Sequence, residues 1–231
     1  KEWLPKVVSG ETIMAIGMTE PVAGSDLQGI KTRADRDGNH FVINGQKVWI
    51  SNGQIADLYI LACKTDPEQG AKGISLILVE GDRGGFERGK NLEKIGYKAQ
   101  DTSELFFEDV RVPITNLLGQ EGRGFAQLMQ QLSQERLVVA IRCATALEAS
   151  LEETISYTSE RKVFGRSLSQ FQNTRFKLAE VKTLAMVTRA FTDQCIGLHV
   201  KGNLTSEDAA AAKLQTTEAL NKGVDECLQL H

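Results

Sequence analysis

The chain has 231 residues, of which 41% are hydrophobic and 25% are charged, a composition typical of globular proteins with one or two domains. Its formal net charge of -3 gives no electrostatic basis for binding nucleic acid. No apolar run approaches the ~20 residues that span a bilayer, so the sequence predicts no transmembrane segment.

Cysteine and histidine are few and dispersed. The four cysteines show no C-x-x-C spacing, and the three histidines are too scattered for a zinc cluster. We therefore expect no metal site, no disulfide framework and a reducing compartment. The residues concerned are Cys63, Cys143, Cys195, Cys227, His40, His199 and His231.

The two ends of the sequence have the pattern of interrupted helices. Residues 1–11, KEWLPKVVSGE, are typical of a helix tail followed by a loop and show no signal-peptide pattern. Residues 223–231, GVDECLQLH, continue a helical pattern without a cap. We therefore expect a fragment cut on both sides, with residues 1–14 as the tail of an N-terminal helical domain.

Residues 15–119 have the pattern of a β domain. The runs LYILACK, GISLILVE and TSELFFEDVRVP are rich in apolar, β-branched and aromatic residues, and Gly, Pro and charge clusters separate them. Asp37-Gly38 predicts a turn, and Asn44-Gly45 predicts a further hairpin within GNHFVINGQKVWI. Because the spacing leaves no room for crossover helices, we expect a mainly antiparallel barrel or sandwich of at least five or six strands.

Residues 120–231 change to helical spacing. Apolar residues recur on one helix face over residues 124–160 and again from about residue 170 to residue 199. A third helix is predicted near Thr205, because residues 205–208 supply an N-cap and an acidic first turn. The predicted fold class is therefore α+β, with a β middle domain followed by an up-down helical bundle that is incomplete.

The first candidate site is the loop GMTEPVAGSDLQG, residues 17–29. Gly24 lacks a Cβ and so permits the close approach of a cofactor, and Thr19 and Ser25 add hydroxyl donors. The alternative is a plain polar turn, because Gly, Ser and Asp are common in loops.

The second candidate site is KVWISNG, residues 47–53. Strand alternation predicts that Trp49 and Ser51 share one face, where the indole is suited to cover an aromatic cofactor ring and the hydroxyl to bond its edge. The alternative is a Trp in the core of the barrel.

The third candidate site is SERKVFGRSLSQFQ, residues 159–172. It clusters Arg161, Lys162 and Arg166 where a helix is predicted to end. These cations either complement the helix dipole or form a clamp for a phosphate, to which the Arg fork is well suited.

Taken together, these stretches resemble the acyl-CoA dehydrogenase family. GMTEPVAGSDLQG is similar to the family's first signature, and VWISNG, LFFEDVRVP, GRGF, ERKVFGR and QFQNTRFKLAE follow in family order. The resemblance covers essentially the whole chain. It implies an FAD enzyme that oxidises acyl-CoA thioesters to trans-2-enoyl-CoA in fatty acid β-oxidation, passes electrons to an electron-transferring flavoprotein and assembles as a homodimer or homotetramer.

The resemblance also implies roles for individual residues. Thr19 would bond the flavin ring, Ser25 would be shared between flavin and acyl-CoA, and Arg136 would meet the CoA moiety. Four of the cofactor residues, from Arg161 onwards, would reach the FAD of a neighbouring subunit. The residues implied in FAD binding are Ile16, Met18, Thr19, Gly24, Ser25, Trp49, Ile50, Ser51, Arg161, Phe164, Gln172 and Gln229. Those implied in substrate binding are Ser25, Ser133, Gln134 and Arg136.

Glu135, in LSQERLVVAIR, is the candidate catalytic base. As a Glu beside Arg136 at a helix head, it has the alternative of a solvated pair worth less than about 1 kcal/mol. The apolar run over residues 137–144 instead predicts dry surroundings, which would raise the pKa of the carboxyl towards the value that a base needs near neutral pH.

The resemblance leaves two origins for the base. Most members of the family place it on a late C-terminal segment, which these residues do not include. Long-chain and isovaleryl members place it on the helix that LSQERLVVAIR resembles. KAQDTSELFFEDVRVP and Gln134-Glu135-Arg136 are closer to the long-chain type, although Ser133 departs from the acid or proline often found there.

Other hypotheses stay open. An isovaleryl or other branched-chain acyl-CoA dehydrogenase uses the same chemistry, and an acyl-CoA oxidase would pass electrons to O₂ but usually carries longer insertions. An assembly scaffold without turnover is disfavoured by Glu135, Trp49 and the Gly-Ser-Asp loop. The sequence decides neither the acyl chain length nor the location, since the bacterial cytoplasm and the mitochondrial matrix are both compatible.

Overall fold

The computed structural model describes residues 3–231. They form two compact units. The first ends at Leu128 and is called the sheet unit, and the second runs from Met129 to His231 and is called the helical unit. The expectation for residues 1–14 falls partly on Lys1 and Glu2, which lie outside the described residues; α1 (Trp3–Ser9) is a short helix. The boundaries drawn from the sequence at residues 14/15 and 119/120 stay predictions. In the part of the chain that the structure describes, every helix is too short or too polar to cross a membrane.

One seven-stranded sheet forms the first unit within the described residues. Its strands are β1 (Met14–Gly17), β2 (Arg33–Asp37), β3 (His40–Ser51), β4 (Leu58–Lys64), β5 (Ile74–Glu80), β6 (Phe86–Asn91) and β7 (Thr102–Pro113). Their spatial order is β1-β4-β2-β3-β7-β6, and β5 pairs with β4. Most pairs are antiparallel, but β1 and β2 run parallel to β4, so the sheet is mixed. The predicted fold class, a β domain followed by a helical region, is confirmed.

The hairpin predicted at Asn44-Gly45 was wrong. β3 continues through both residues, and the turn between β2 and β3 lies at Gly38 (φ 58°), as the Asp37-Gly38 pair predicts. At Gly45 (φ 150°) the pairing with β7 shifts, and a Cβ there would lie 2.5 Å from Oγ1 of Thr32. Gly45 therefore serves a bulge and a close approach of the chain, which the dipeptide alone cannot distinguish from a turn.

Alternating strand residues build the core of the sheet unit. β3 begins with buried Phe41 and Ile43, which alternate with less buried neighbours, whereas β4 and β5 are buried at most positions. Each such large apolar side chain contributes roughly 1.5–3 kcal/mol by burial. The sheet is thus a well-anchored frame for the loop that follows β1 and for the end of β3.

Three helices and a small hairpin make up the helical region. They are α2 (Gly124–Glu160), β8 (Lys162–Val163), β9 (Arg166–Ser167), α3 (Gln172–Val200) and α4 (Ser206–Gln229). Leu147 of α2, Val181 of α3 and Ala219 of α4 pack in one core cluster. Thr205 caps α4 through a capping box with Asp208, as predicted. The apolar faces of three helices therefore converge on one core.

Candidate functional site

The loop after β1 is held by its own backbone and leaves small residues exposed. Glu20 N donates to Ala23 O (2.8 Å) and Ala23 N donates to Glu20 O (3.1 Å), which closes a tight turn. Gly24 and Ser25 follow on the surface, and a Cβ on Gly24 would have only the Thr19 methyl within reach, at 4.0 Å. The space beside Gly24 is therefore open to a ligand, as close approach to the backbone requires.

The other residues predicted on this segment differ in exposure. Ile16, on β1, is exposed, whereas Met18 and Thr19 are half-buried. Asp26 accepts a hydrogen bond from Gln28 N (3.1 Å) and caps the short 3₁₀ turn Leu27–Gly29. These contacts fix the conformation of the polar loop.

Trp49 lies on a β-bulge with an unusual backbone. The pairing of β3 with β7 shifts between Lys47 and Ile50, and Trp49 has φ 62°. Its side chain is 57% exposed, which excludes the alternative of a Trp in the core. A bulky residue at positive φ is strained, and strain of this kind gathers at functional sites.

The bulge shifts the phase of burial along β3, because Lys47 and Ile50, three residues apart, are both buried, but the predicted alternation holds beyond it. Trp49 and Ser51 are both exposed, whereas the side chain of Ile50 is buried in the sheet core. Val48 N donates to Thr19 O (2.9 Å), so the bulge and the loop after β1 are directly bonded. The structure therefore brings the first two candidate sites together in one unit, with Ile50 offering only its backbone to a ligand.

A buried ion pair joins the loop after β1 to β3, and it was not predicted from the sequence. Lys47 Nζ lies 2.8 Å from Glu20 Oε1, and the two side chains are 0% and 2% exposed. The only sequence signal is that Lys47 follows Phe41 and Ile43 at alternate positions of β3, the positions that are buried. Burial raises the pKa of Glu20, but the Lys47 charge and hydrogen bonds from Lys47, Thr32 and Lys31 outweigh it and hold that pKa below its ordinary value.

Burial also shifts the pKa values of Lys47 and of the buried thiol Cys63. Burial lowers the pKa of Lys47, and the Glu20 charge and hydrogen bond oppose this effect without cancelling it. Burial raises the pKa of Cys63 to about 12, so this thiol stays protonated and unreactive at neutral pH. Cys63 is thus a core residue of the sheet.

Glu135 lies well inside α2 and not at a helix head. The helix begins at Gly124, so Glu135 stands about three turns from its start. The expectation of dry surroundings was wrong for the described chain, since Glu135 is exposed. It lines an open groove of about 400 Å³ with Gln131, Gln134 and Val138, which recur along one face of α2.

The neighbours of Glu135 point in different directions. Ser133 is half-buried and Gln134 is exposed. Arg136 Nη1 donates to Ser206 Oγ (3.3 Å) at the start of α4. Successive helix residues are about 100° apart, so Arg136 is held on a different face from Glu135. The face that carries Glu135 therefore presents a carboxylate and amides.

The hairpin between α2 and α3 presents the third candidate site. Phe164, at its tip, has φ 52° and is 95% exposed, and Arg161 is exposed just after the end of α2. Arg166 stacks its guanidinium 4.0 Å from the centre of the Phe171 ring. Lys162 is also exposed, so the hairpin tip offers an aromatic ring beside cations.

The other two residues predicted to meet a cofactor lie at helix ends. Gln172 is the first residue of α3 and Gln229 is the last of α4, and both are exposed. The end of α4 lies beside α2, because Tyr157 Oη donates to His231 O (2.9 Å) and the two rings stack at 4.3 Å. No set of three His, Cys, Asp or Glu side chains within residues 3–231 is placed to hold a metal ion.

Comparison with known proteins defines the class to which this arrangement belongs. Residues 15–110 match the acyl-CoA dehydrogenase middle domain, and residues 122–231 match the acyl-CoA dehydrogenase C-terminal domain. The chain belongs to the acyl-CoA dehydrogenase family.

Several individual members of this family are similar to the chain over nearly its whole length. The chain is 48% identical over 233 aligned residues to the mitochondrial long-chain specific acyl-CoA dehydrogenase of Sus scrofa, covering 100% of this chain and 54% of the relative. It is 39% identical to the mitochondrial isovaleryl-CoA dehydrogenase of Pongo abelii, covering 94% of this chain and 52% of the relative. The crystal structure of an acyl-CoA dehydrogenase from Geobacillus kaustophilus matches with a TM-score of 0.96 and 50% identity, over 100% of this chain and 61% of that one. The chain thus spans about half the length of the curated relatives it matches.

Proposed function

We propose that the protein is an FAD-dependent dehydrogenase that converts an acyl-CoA thioester to its trans-2-enoyl-CoA. The observation that carries this proposal is the strained and exposed Trp49. The amide of the preceding residue, Val48, donates a hydrogen bond to the Thr19 carbonyl and so joins the bulge to the loop after β1. An exposed indole, an open space at Gly24 and adjacent hydroxyls suit a flat, polar-edged ring such as the isoalloxazine. FAD, when bound, supplies a hydride acceptor, which no amino-acid side chain can provide.

This chain's residues have distinct tasks in the proposed reaction. Trp49 covers a face of the cofactor ring, and Thr19 and Ser25 bond its polar edge. Glu135 takes the proton from Cα of the thioester, as a general base, while the hydride leaves Cβ. Ser133, Gln134 and Arg136 are proposed to contact the acyl-CoA.

The remaining assignments depend on an assembled protein. Arg161, Phe164, Gln172 and Gln229 are proposed to meet the FAD of a neighbouring subunit in a homodimer or homotetramer. Their exposure on the hairpin and at helix ends supports this assignment, since they are accessible to another chain. The electron acceptor proposed is an electron-transferring flavoprotein, and the pathway is fatty acid β-oxidation in the mitochondrial matrix or the bacterial cytoplasm.

The substrate class proposed is a long-chain acyl-CoA, supported by 48% identity to a long-chain specific relative. The branched-chain alternative rests on 39% identity to an isovaleryl-CoA dehydrogenase. An anaerobic screen of the full-length protein against C4 to C18 acyl-CoAs and isovaleryl-CoA separates the two, with flavin bleaching as the readout. Fastest bleaching by isovaleryl-CoA would contradict the long-chain assignment, and rapid reoxidation of the reduced flavin by air would indicate an oxidase.

A further inference from the structure

The buried pair Glu20–Lys47 connects the two segments to which the cofactor is assigned. Glu20 lies in the loop after β1, one residue beyond Thr19, and Lys47 lies on β3, two residues before Trp49. Their charged atoms are 2.8 Å apart and screened from water by the sheet. In the described residues the next most buried ion pair, Glu80–Arg83, keeps its side chains 19% and 29% exposed.

The pair fixes the loop at three points. Lys47 Nζ donates to the Met18 carbonyl (3.1 Å), at the start of the loop. Glu20 accepts from Thr32 N (3.0 Å) and from Lys31 N, where the chain leaves the loop for β2. A single pair of charges therefore holds both ends of the segment that contains Gly24 and Ser25.

The same pair sets the position of the bulge. Lys47 is the last residue of β3 in register with β7 before the shift, and the strained Trp49 follows it. The amide of the intervening Val48 donates to Thr19 O (2.9 Å), so movement of Lys47 would move both segments together. The environment is tight, because a Cβ on Gly17 would lie 3.4 Å from Lys47 Cγ and 2.7 Å from Leu61 Cδ1.

A buried ion pair is a poor source of stability in itself. The cost of removing two charges from water commonly equals or exceeds their attraction, and apolar replacements of similar volume are often neutral or stabilising. The pair instead provides directional hydrogen bonds, since the two charged groups bond defined backbone atoms at both ends of the loop, namely Met18 O, Lys31 N and Thr32 N, while Lys47 itself belongs to β3. An apolar pair of the same volume would fill the space and leave those atoms without partners.

We infer that Glu20 and Lys47 are positioning residues that hold the Thr19–Ser25 loop and the Trp49 bulge in one geometry for the flavin. This inference rests on the proposed FAD site and adds the device that shapes it. Neither side chain has access to a ligand, so both act through the backbone that they bond.

The test compares three variants of the full-length protein. Lys47→Met leaves Glu20 buried without its partner, and the double variant Glu20→Gln with Lys47→Met removes both charges at similar volume. Glu80→Gln is the matched control, because Glu80 pairs with Arg83 and Asn116 in the same unit and contacts neither segment. Three quantities are measured: the thermal midpoint, the FAD dissociation constant and the visible circular dichroism of the bound flavin.

We expect the double variant to keep a thermal midpoint close to that of the wild type but to bind FAD about 10- to 100-fold more weakly, by analogy with the loss of metal affinity when a partner that orients a metal ligand is removed. Its flavin dichroism should change, whereas Glu80→Gln should leave that spectrum unaltered. Lys47→Met should show the same spectral change together with a lower midpoint. If Lys47→Met does not fold, the double variant alone decides.

Three results would overturn the inference. The first is a double variant with the FAD affinity and dichroism of the wild type, and the second is a double variant that does not fold, since the pair would then serve the fold itself. The third is a Glu80→Gln variant whose FAD affinity and dichroism change as much as those of the double variant. Wild-type protein that takes up no FAD would instead refute the proposed function, and the inference with it.

Discussion

The sheet unit and the helical unit present their candidate residues in different ways. In the sheet unit Thr19 and Trp49 are set by a tight turn, a bulge and a buried ion pair, which bond one another across non-adjacent segments. In the helical unit Glu135 and Phe164 project from a regular helix and a hairpin tip and are exposed. A change in the first unit should therefore disturb a whole surface, whereas a change in the second should act through one side chain.

The strongest loss of activity is predicted for a change of Glu135, which should act through this one side chain. Glu135→Gln keeps the shape of the side chain but removes the proposed base, so anaerobic flavin reduction by acyl-CoA should slow by about 10²–10⁴-fold. FAD binding should be unchanged. Glu152→Gln, an exposed residue further along α2, is the matched control and should reduce at the wild-type rate. Stopped-flow absorbance measures both, and near wild-type bleaching by Glu135→Gln would place the base elsewhere.

A smaller loss, in FAD affinity, is predicted for a change of Trp49 on the sheet unit. Trp49→Ala should weaken FAD binding by about fivefold or more, since aromatic stacking contributes on the order of 1 kcal/mol beyond burial. Because Trp49 is 57% exposed, the free energy of unfolding of the apoprotein should fall far less than the roughly 3–5 kcal/mol that a buried Trp would cost. Phe176→Ala, on α3, is the control, because Phe176 is 59% exposed and lies in the other unit, and it should leave FAD affinity unchanged. Lower stability with unchanged FAD affinity would contradict this role for Trp49.

A smaller effect concerns the helical unit alone. Thr205→Ala removes the N-cap of α4 and its bonds with Asp208, at a cost of about 1 kcal/mol in the free energy of unfolding. FAD affinity should not change. Thr183→Ala, whose hydroxyl only bonds Ala179 O within α3, should cost less. Urea unfolding of both variants measures the difference, and an equal loss would show that the capping box adds nothing.

The smallest effect is a dependence on pH. The hydrogen bond from Arg189 holds the pKa of Glu148 below its ordinary value of 4.5, outweighing the opposing effect of burial. A carboxyl with a lowered folded-state pKa stabilises the protein above pH 4.5, and this contribution is lost as the pH falls through the folded value. Glu148→Gln should therefore cost less than about 1 kcal/mol at neutral pH, because the pair is partly exposed. The difference in the free energy of unfolding between this variant and the wild type, measured with urea, should shrink on acidification. A difference that grew at low pH would contradict the predicted pH dependence.

Local patterns predicted much of the fold and less of the site. LYILACK and TSELFFEDVRVP have strand boundaries that the structure confirms, as does the cap at Thr205, because burial and capping are local signals. The Asn44-Gly45 hairpin failed because Thr32, distant in sequence, packs on Gly45 and keeps the strand continuous. The parallel pairing of β1 with β4 also depends on tertiary contacts.

At the candidate site, the sequence identified candidate residues but not their backbone conformation or their exposure. The sequence identified Trp49 and Glu135 as candidates, whereas the bulge beneath Trp49 and the exposure of Glu135 come from strand pairing and helix length. Glu20 and Lys47 were missed because a buried charge is recognisable only with its partner, and 27 residues separate the two in sequence. Whether the predicted site residues serve FAD and acyl-CoA stays a prediction.

The proposed dehydrogenation assigns the flavin surface to the sheet unit and the catalytic base to the helical unit. Anaerobic titration of the full-length protein with a long-chain acyl-CoA, followed by visible absorbance, tests it most directly. We expect a yellow protein whose flavin bleaches in proportion to the added thioester, with trans-2-enoyl-CoA as the product. A colourless protein, or a yellow one whose spectrum does not change with any acyl-CoA, would contradict it.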